Sequence, residues 1–226
     1  LISMYDAARV KEHYHGFYGS RIYLPLSSFS RSFRRFSRRM RGKTSRSQQE
    51  TRLPTISWRR CTKRRSMRVC EARKANGNVR ISELAILSAL AADCADRTNL
   101  FEIGTFDGRT TLNLAVNSPA GCRVLTLDLP PDQETQFALS EGERHMVEKP
   151  ASGARYERHR QTRGADVEKI TQLFGDSAAF DYEPYTASCS LVFVDGSHAY
   201  DYAVSDTKAA MRLVAPGGMI VWHDYG

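Results

Sequence analysis

Seven side chains able to accept a proton or a hydrogen bond stand at the ends of short apolar runs: Glu102, Asp128, Asp176, Asp195, His198, His223 and Asp224. Asp128 closes the run Val124-Leu-Thr-Leu, about twenty residues beyond a glycine turn, where one carboxylate can chelate both hydroxyls of a ribose. His198 is the candidate general base, because an imidazole titrates near working pH. Asp195 lies three residues before it on the same turn, Asp195-Gly-Ser-His198. If successive strands are parallel, their carboxyl ends share one edge, and these residues converge on it.

The turn that organises this edge is Leu100-Phe-Glu-Ile-Gly-Thr-Phe-Asp-Gly-Arg-Thr-Thr. It reads as a buried strand over Leu100–Ile103, a turn from Gly104 to Gly108 with Thr105 inside it, and a helix opening at Arg109. Glycine at 104 admits backbone dihedrals closed to other residues, and glycine at 108 permits close approach of a ligand or of the helix. The spacing is Glu-x-Gly-x-x-x-Gly, which differs from the Gly-x-Gly-x-x-Gly of dinucleotide sites. Glu102 and Asp107 put negative groups at the mouth, so the turn is expected to repel a diphosphate and to suit an amino group or a sulfonium.

This pattern resembles motif I of the class I S-adenosylmethionine-dependent methyltransferases. The tract Val194-Asp-Gly-Ser-His198, with Trp222-His-Asp-Tyr225, is similar to their small-molecule and sugar O-methyltransferase subgroup. The resemblance covers roughly residues 80–226. It implies that Glu102, Gly104, Thr105 and Gly108 serve the methionine end of the cofactor. It places Asp176 and Ser177 at the adenine, although a Gly-Asp-Ser turn alone would explain them equally well. His198 matches the base of macrolide-sugar enzymes. Asp195 and Asp224 match two acids that hold a divalent ion in several relatives, and oxygen ligands would favour Mg2+ over Zn2+. Tyr225 stands where the catechol-type pattern has Asn, so that ligand set is incomplete. Asp195 could equally cap a helix and orient His198.

The elements that must position these groups alternate. A helix is expected from Ile81, with Leu84, Leu87 and Leu90 on one face, then the Leu100 strand and a helix over 110–117. Strands follow at 124–128, 169–174 and 190–195, a helix at 200–214, and a strand at 219–222 after Pro216-Gly-Gly218. The long polar stretch 132–166 is read as loop with a helix near 133–141. Strand–helix alternation implies a parallel Rossmann-like α/β sheet with helices on both faces. The resemblance implies two further strands beyond Gly226, so the domain at 75–226 is expected to be C-terminally incomplete.

Charge divides the chain. Of 226 residues, the first 74 hold 20 Lys or Arg against 4 acids, so the +8 of the whole is +16 there and −8 in the remainder. Residues 1–74 are read as a basic, Arg/Ser-rich arm, largely disordered. The stretch 27–74 is a solvated tail, an electrostatic arm for nucleic acid or an anionic membrane, or a targeting segment. Five scattered cysteines without a Cys-x-x-Cys pair argue against a zinc ribbon or a disulfide framework and for a reducing, cytoplasmic setting. No run has the apolar length of a membrane span.

The reading is an S-adenosylmethionine-dependent methyl transfer to a hydroxyl of a small molecule or sugar. Nucleic-acid methylation through the arm, a nucleotide-dependent oxidoreductase and a non-catalytic module are the competing readings.

Overall fold

The computed structural model describes residues 2–3, 56–64, 66–75 and 77–223. Helix α1 (Ile81–Ala92) leads to β1 (Asn99–Ile103), α2 (Arg109–Asn117) and β2 (Arg123–Asp128). Three short helices follow, α3 (Arg144–Val147), α4 (Ala154–Arg158) and α5 (Gly164–Val167), then β3 (Ile170–Phe174) and β4 (Cys189–Val194). The chain closes with α6 (Tyr200–Leu213) and β5 (Val214–Trp222). The five strands are parallel in the order β3-β2-β1-β4-β5, the expected Rossmann-like sheet.

Strand periodicity sorts the core onto two faces. Leu100, Val124, Leu191 and Phe193 point to α1 and α2, while Phe101, Ile103, Leu125, Val192 and Val194 point to α6. Helix α1 is buried on nearly every side, from Leu84 to Ala91, so it behaves as core rather than as an amphipathic surface helix. Each fully buried Leu or Ile contributes about 1.5–3 kcal/mol. Glu83 fixes the start of α1, its Oε2 accepting the Arg80 amide at 2.7 Å.

Two boundaries differ from the sequence reading. Part of the stretch assigned to the arm is packed onto the domain. Trp58 and Met67 are buried in the core beside α1, and the Asp93 carboxylate accepts Thr62 Oγ1 at 2.5 Å and the Lys63 amide at 2.8 Å. Arg109, itself buried, donates to the Glu71, Ala72 and Val79 carbonyls and ties these residues to α2. The expected helix near 133–141 is absent. The Gln136 amide is bonded to Asp176 Oδ2 at 2.6 Å and the Ser140 amide to Glu143 Oε2 at 3.0 Å. The first is a tertiary bond and the second a local one, and both take up amides that a helix would use.

Candidate active site

The strand tips are sewn together by main-chain bonds. Gly104 N donates to Leu127 O at 2.9 Å, Asp195 N to Ile103 O at 2.9 Å, Gly175 N to Asp128 O at 3.0 Å, and His223 N to Val194 O at 3.0 Å. The loops after all five strands therefore leave from one edge. At Gly104, φ is +97°, and a Cβ would overlap the Asp195 carbonyl oxygen. Glycine there is what lets the β1 and β4 loops touch.

Gly104, Asp128, Asp176, Ser177 and Asp195 line one cleft at this edge. Thr105, Asp195, His198 and His223 line a second cleft that shares the Gly104–Asp195 wall. Asp224 lies outside the described residues.

Glu102 and Gly108 are not in either cleft. Glu102 is one residue short of the β1 tip and shares the face of Leu100, so its side chain runs under α2. It is fully buried, and its Oε2 accepts the hydroxyls of Thr111 and, at 2.6 Å, Thr126. The chain of bonds continues from Thr126 through Thr105 to Gln172 Nε2, and Tyr156 donates to Gln172 Oε1 at 2.8 Å. Gly108 (φ +82°) leaves room for Gly153 and Tyr156, so it serves the packing of the following loop.

The expected negative mouth is also absent. Asp107 is paired with Arg155 at 2.8 Å and accepts the Asn78 side chain at 3.0 Å. Burial pushes the Glu102 carboxyl up to about 8, against the opposing pull of the Thr111 and Thr126 hydroxyls, so at neutral pH it holds a proton. The acids flanking the turn therefore cannot repel a diphosphate, and that argument from the sequence fails.

Glu102 makes stability depend on pH. Its folded value lies above that of an unfolded glutamate, so the folded state binds the extra proton from about pH 4.5 to about pH 8, and the stabilisation is lost as pH rises through that window. Glu102→Gln should remove this slope. We expect the wild-type melting temperature to fall from pH 6 to pH 9 by more than that of the variant, corresponding to a few kcal/mol. Parallel curves would contradict the assignment.

Asp128 is 8% exposed, and its Oδ2 is held by Lys149 Nζ at 2.7 Å and by the Ser152 hydroxyl. Asp176 is buried with three donors, the Gln136 and Ala178 amides and the Tyr202 hydroxyl, and it organises the loop after β3. Asp206 is a buried carboxylate that the sequence reading missed. It lies behind Gly196, where a Cβ would come within 2.7 Å of Oδ2.

Asp195 is paired with His223. Its Oδ1 is 2.8 Å from His223 Nδ1, and His223 Nε2 is 3.2 Å from Glu83 Oε2. Glu143, from the polar loop, takes the orienting position, with Oε1 2.6 Å from His198 Nδ1 and accepting the His198 amide at 2.6 Å. Its Oε2 accepts the Ser197 hydroxyl at 2.6 Å. Burial opposes the charge on Glu143, but these donors outweigh it and hold the carboxyl below its ordinary value. No periodicity marks Glu143 or Lys149 in the sequence; only the tertiary fold brings them to the rim.

A family model described as a methyltransferase domain matches residues 101–225. No curated protein matches the chain in sequence. Among solved structures, the chain is similar to the SAH-bound Podospora anserina methyltransferase PaMTH1 (14% identity, TM-score 0.45, covering 66% of this chain and 54% of that one). It is also similar to the O-methyltransferase from Bacillus cereus in complex with SAH (21%, 0.44, 66% and 58%). A third is the O-methyltransferase TomG from Streptomyces achromogenes, involved in tomaymycin synthesis, in complex with SAM (21%, 0.44, 67% and 66%). The chain spans 54–66% of the length of these three.

Proposed function

The chain belongs to the methyltransferase-domain family, and from that premise we propose that it moves a methyl group from S-adenosylmethionine to a hydroxyl of a small molecule or sugar. The observation that carries this reading is the gathering of Gly104, Asp128, Asp176, Ser177 and Asp195 along one cleft at the strand tips. Asp128 would chelate the ribose hydroxyls, for which Lys149 and Ser152 must yield Oδ2 or leave Oδ1 to the ligand. Ser177 and the Asp176 loop would bound the adenine. The bare Gly104 backbone would lie against the methionine portion, without a contribution from the buried Glu102.

S-adenosylmethionine supplies an electrophilic methyl on a sulfonium, and the protein's tasks are alignment and proton removal. His198 stands in the adjoining cleft with Nδ1 tied to Glu143. An imidazole protonated at Nδ1 carries its lone pair on Nε2, the nitrogen that would take the acceptor's hydroxyl proton. The growing imidazolium would be stabilised by the Glu143 carboxylate, which stays charged through the step. No step here is routed through Mg2+, for which Asp195 would be one ligand.

The test is transfer of labelled methyl from S-adenosylmethionine to a panel of catechols, sugars and RNA, with the full chain and with a chain starting at residue 56. The shortened chain keeps the docked Trp58 segment. We expect label on small hydroxylic acceptors with both chains. Label on RNA alone, lost with residues 1–55, would contradict the small-molecule reading.

A further inference from the structure

Asp206 is fully buried on α6, one turn after Tyr202, and the proposed mechanism gives it no task. Neither of its carboxylate oxygens meets a donor in good hydrogen-bond geometry among the described residues. The Ser177 side chain draws the carboxyl toward its charged form, and the charged neighbour acting on it is another acid, Asp176. Among the described residues, the groups that shift its titration include no Lys or Arg.

A carboxylate so placed works against the fold. Desolvation penalises a buried charge that no cation offsets. Burial pushes Asp206 up to about 6, against the opposing pull of Ser177, so the group is still ionised at pH 8. A charge that opposes folding calls for a task elsewhere.

Position supplies one. Oδ2 stands 2.7 Å from where a Cβ on Gly196 would be, so the carboxylate lies directly against that glycine. Gly196 lines both the cleft of Asp128 and the cleft of His198. A single glycine backbone therefore separates the buried charge from both clefts.

We infer that Asp206 is a specificity-determining charge, set behind Gly196, that favours the cationic sulfonium of S-adenosylmethionine over the neutral thioether left after methyl transfer. The inference rests on the methyl-transfer reading and deepens it. With the nucleoside in the Asp128 cleft and the acceptor beside His198, the reacting sulfur belongs at the wall the two clefts share. Two opposite unit charges about 8 Å apart, at an effective dielectric constant of about 20, change affinity by about 30-fold. Asp176, held by neutral donors, adds to the same field, whereas the charge of Asp128 is offset by Lys149. Methyl transfer cancels the sulfonium charge, so the attraction acts on the fresh cofactor and lapses on the product.

The test is calorimetric titration of S-adenosylmethionine and of S-adenosylhomocysteine at pH 8, without acceptor, into the wild-type full chain and Asp206→Asn. We expect the preference for the cation to fall by about 10–30-fold in the variant, with S-adenosylhomocysteine affinity unchanged within about twofold. The ratio separates charge from shape, because a displaced Gly196 would weaken both ligands together. The folded value of Asp206 lies above that of an unfolded aspartate, so its ionisation at pH 8 opposes folding. Asp206→Asn should accordingly melt at or above the wild-type temperature at that pH. An unmoved ratio, or an equal loss of both ligands, would overturn the inference. So would a variant that melts lower or does not fold, since Asp206 would then serve the structure. A wild type that binds neither ligand would overturn the methyl-transfer reading and this inference with it, whereas binding of both with an unmoved ratio leaves that reading standing.

Discussion

His198→Gln should lower kcat for methyl transfer by about 10²–10⁴-fold, the usual contribution of a positioned general base, while S-adenosylhomocysteine binds as tightly as to the wild type. The split follows from the geometry. His198 lines the cleft with Thr105 and His223, whereas the proposed nucleoside contacts Asp128, Asp176 and Ser177 line the neighbouring one. Glutamine keeps a side-chain amide near Glu143 but cannot take a proton. Glu143→Gln should give a smaller loss, because the imidazole remains but its orienting carboxylate does not. It should also loosen the β4 loop, since Glu143 accepts Ser197 Oγ and the His198 amide in addition to pairing with the ring. Single-turnover kinetics on both variants checks this ordering. Equal rates for His198→Gln and wild type would remove the base from the account, and weakened cofactor binding with unchanged kcat would make His198 a structural residue.

Much of this arrangement is legible in the sequence. Leu100–Ile103, the Gly104 turn and the helix from Arg109 are where the apolar run and the glycines put them, since a buried strand and a positive-φ turn each leave local marks. Asp128 and Asp195 fall on the cleft because parallel strands end on a common edge. What failed depends on side-chain direction or distant partners. Glu102 was placed on the rim by its distance from Gly104, but strand alternation sends it with Leu100 to the α2 face, where Thr111 and Thr126 meet it. Asp107 reads as an open charge until Arg155, nearly fifty residues later, neutralises it. Glu143 and Lys149 sit in a polar stretch without period, and their roles appear only when that stretch crosses the strand tips. The boundary at residue 74 followed the charge, which hides how firmly Trp58 and Met67 join the core.

The proposed ribose seat carries the largest expected effect on affinity. Charge-assisted hydrogen bonds contribute about 1.5–3 kcal/mol each, so losing two of them at Asp128 should weaken nucleoside binding by about 10²–10⁴-fold. Asp128→Ala also strands Lys149, which is buried with it. The double variant Asp128→Ala with Lys149→Met removes that complication and should bind equally poorly. Lys149→Met alone should bind more tightly than wild type, because only the Ser152 hydroxyl then competes for Oδ2.

Calorimetric titration of S-adenosylhomocysteine into the full chain and these three variants is the most direct measurement. The account predicts one site in the wild type, a tighter one in Lys149→Met, and near-complete loss in both proteins lacking Asp128. No heat of binding to the wild type, or undiminished binding without the Asp128 carboxylate, would contradict it.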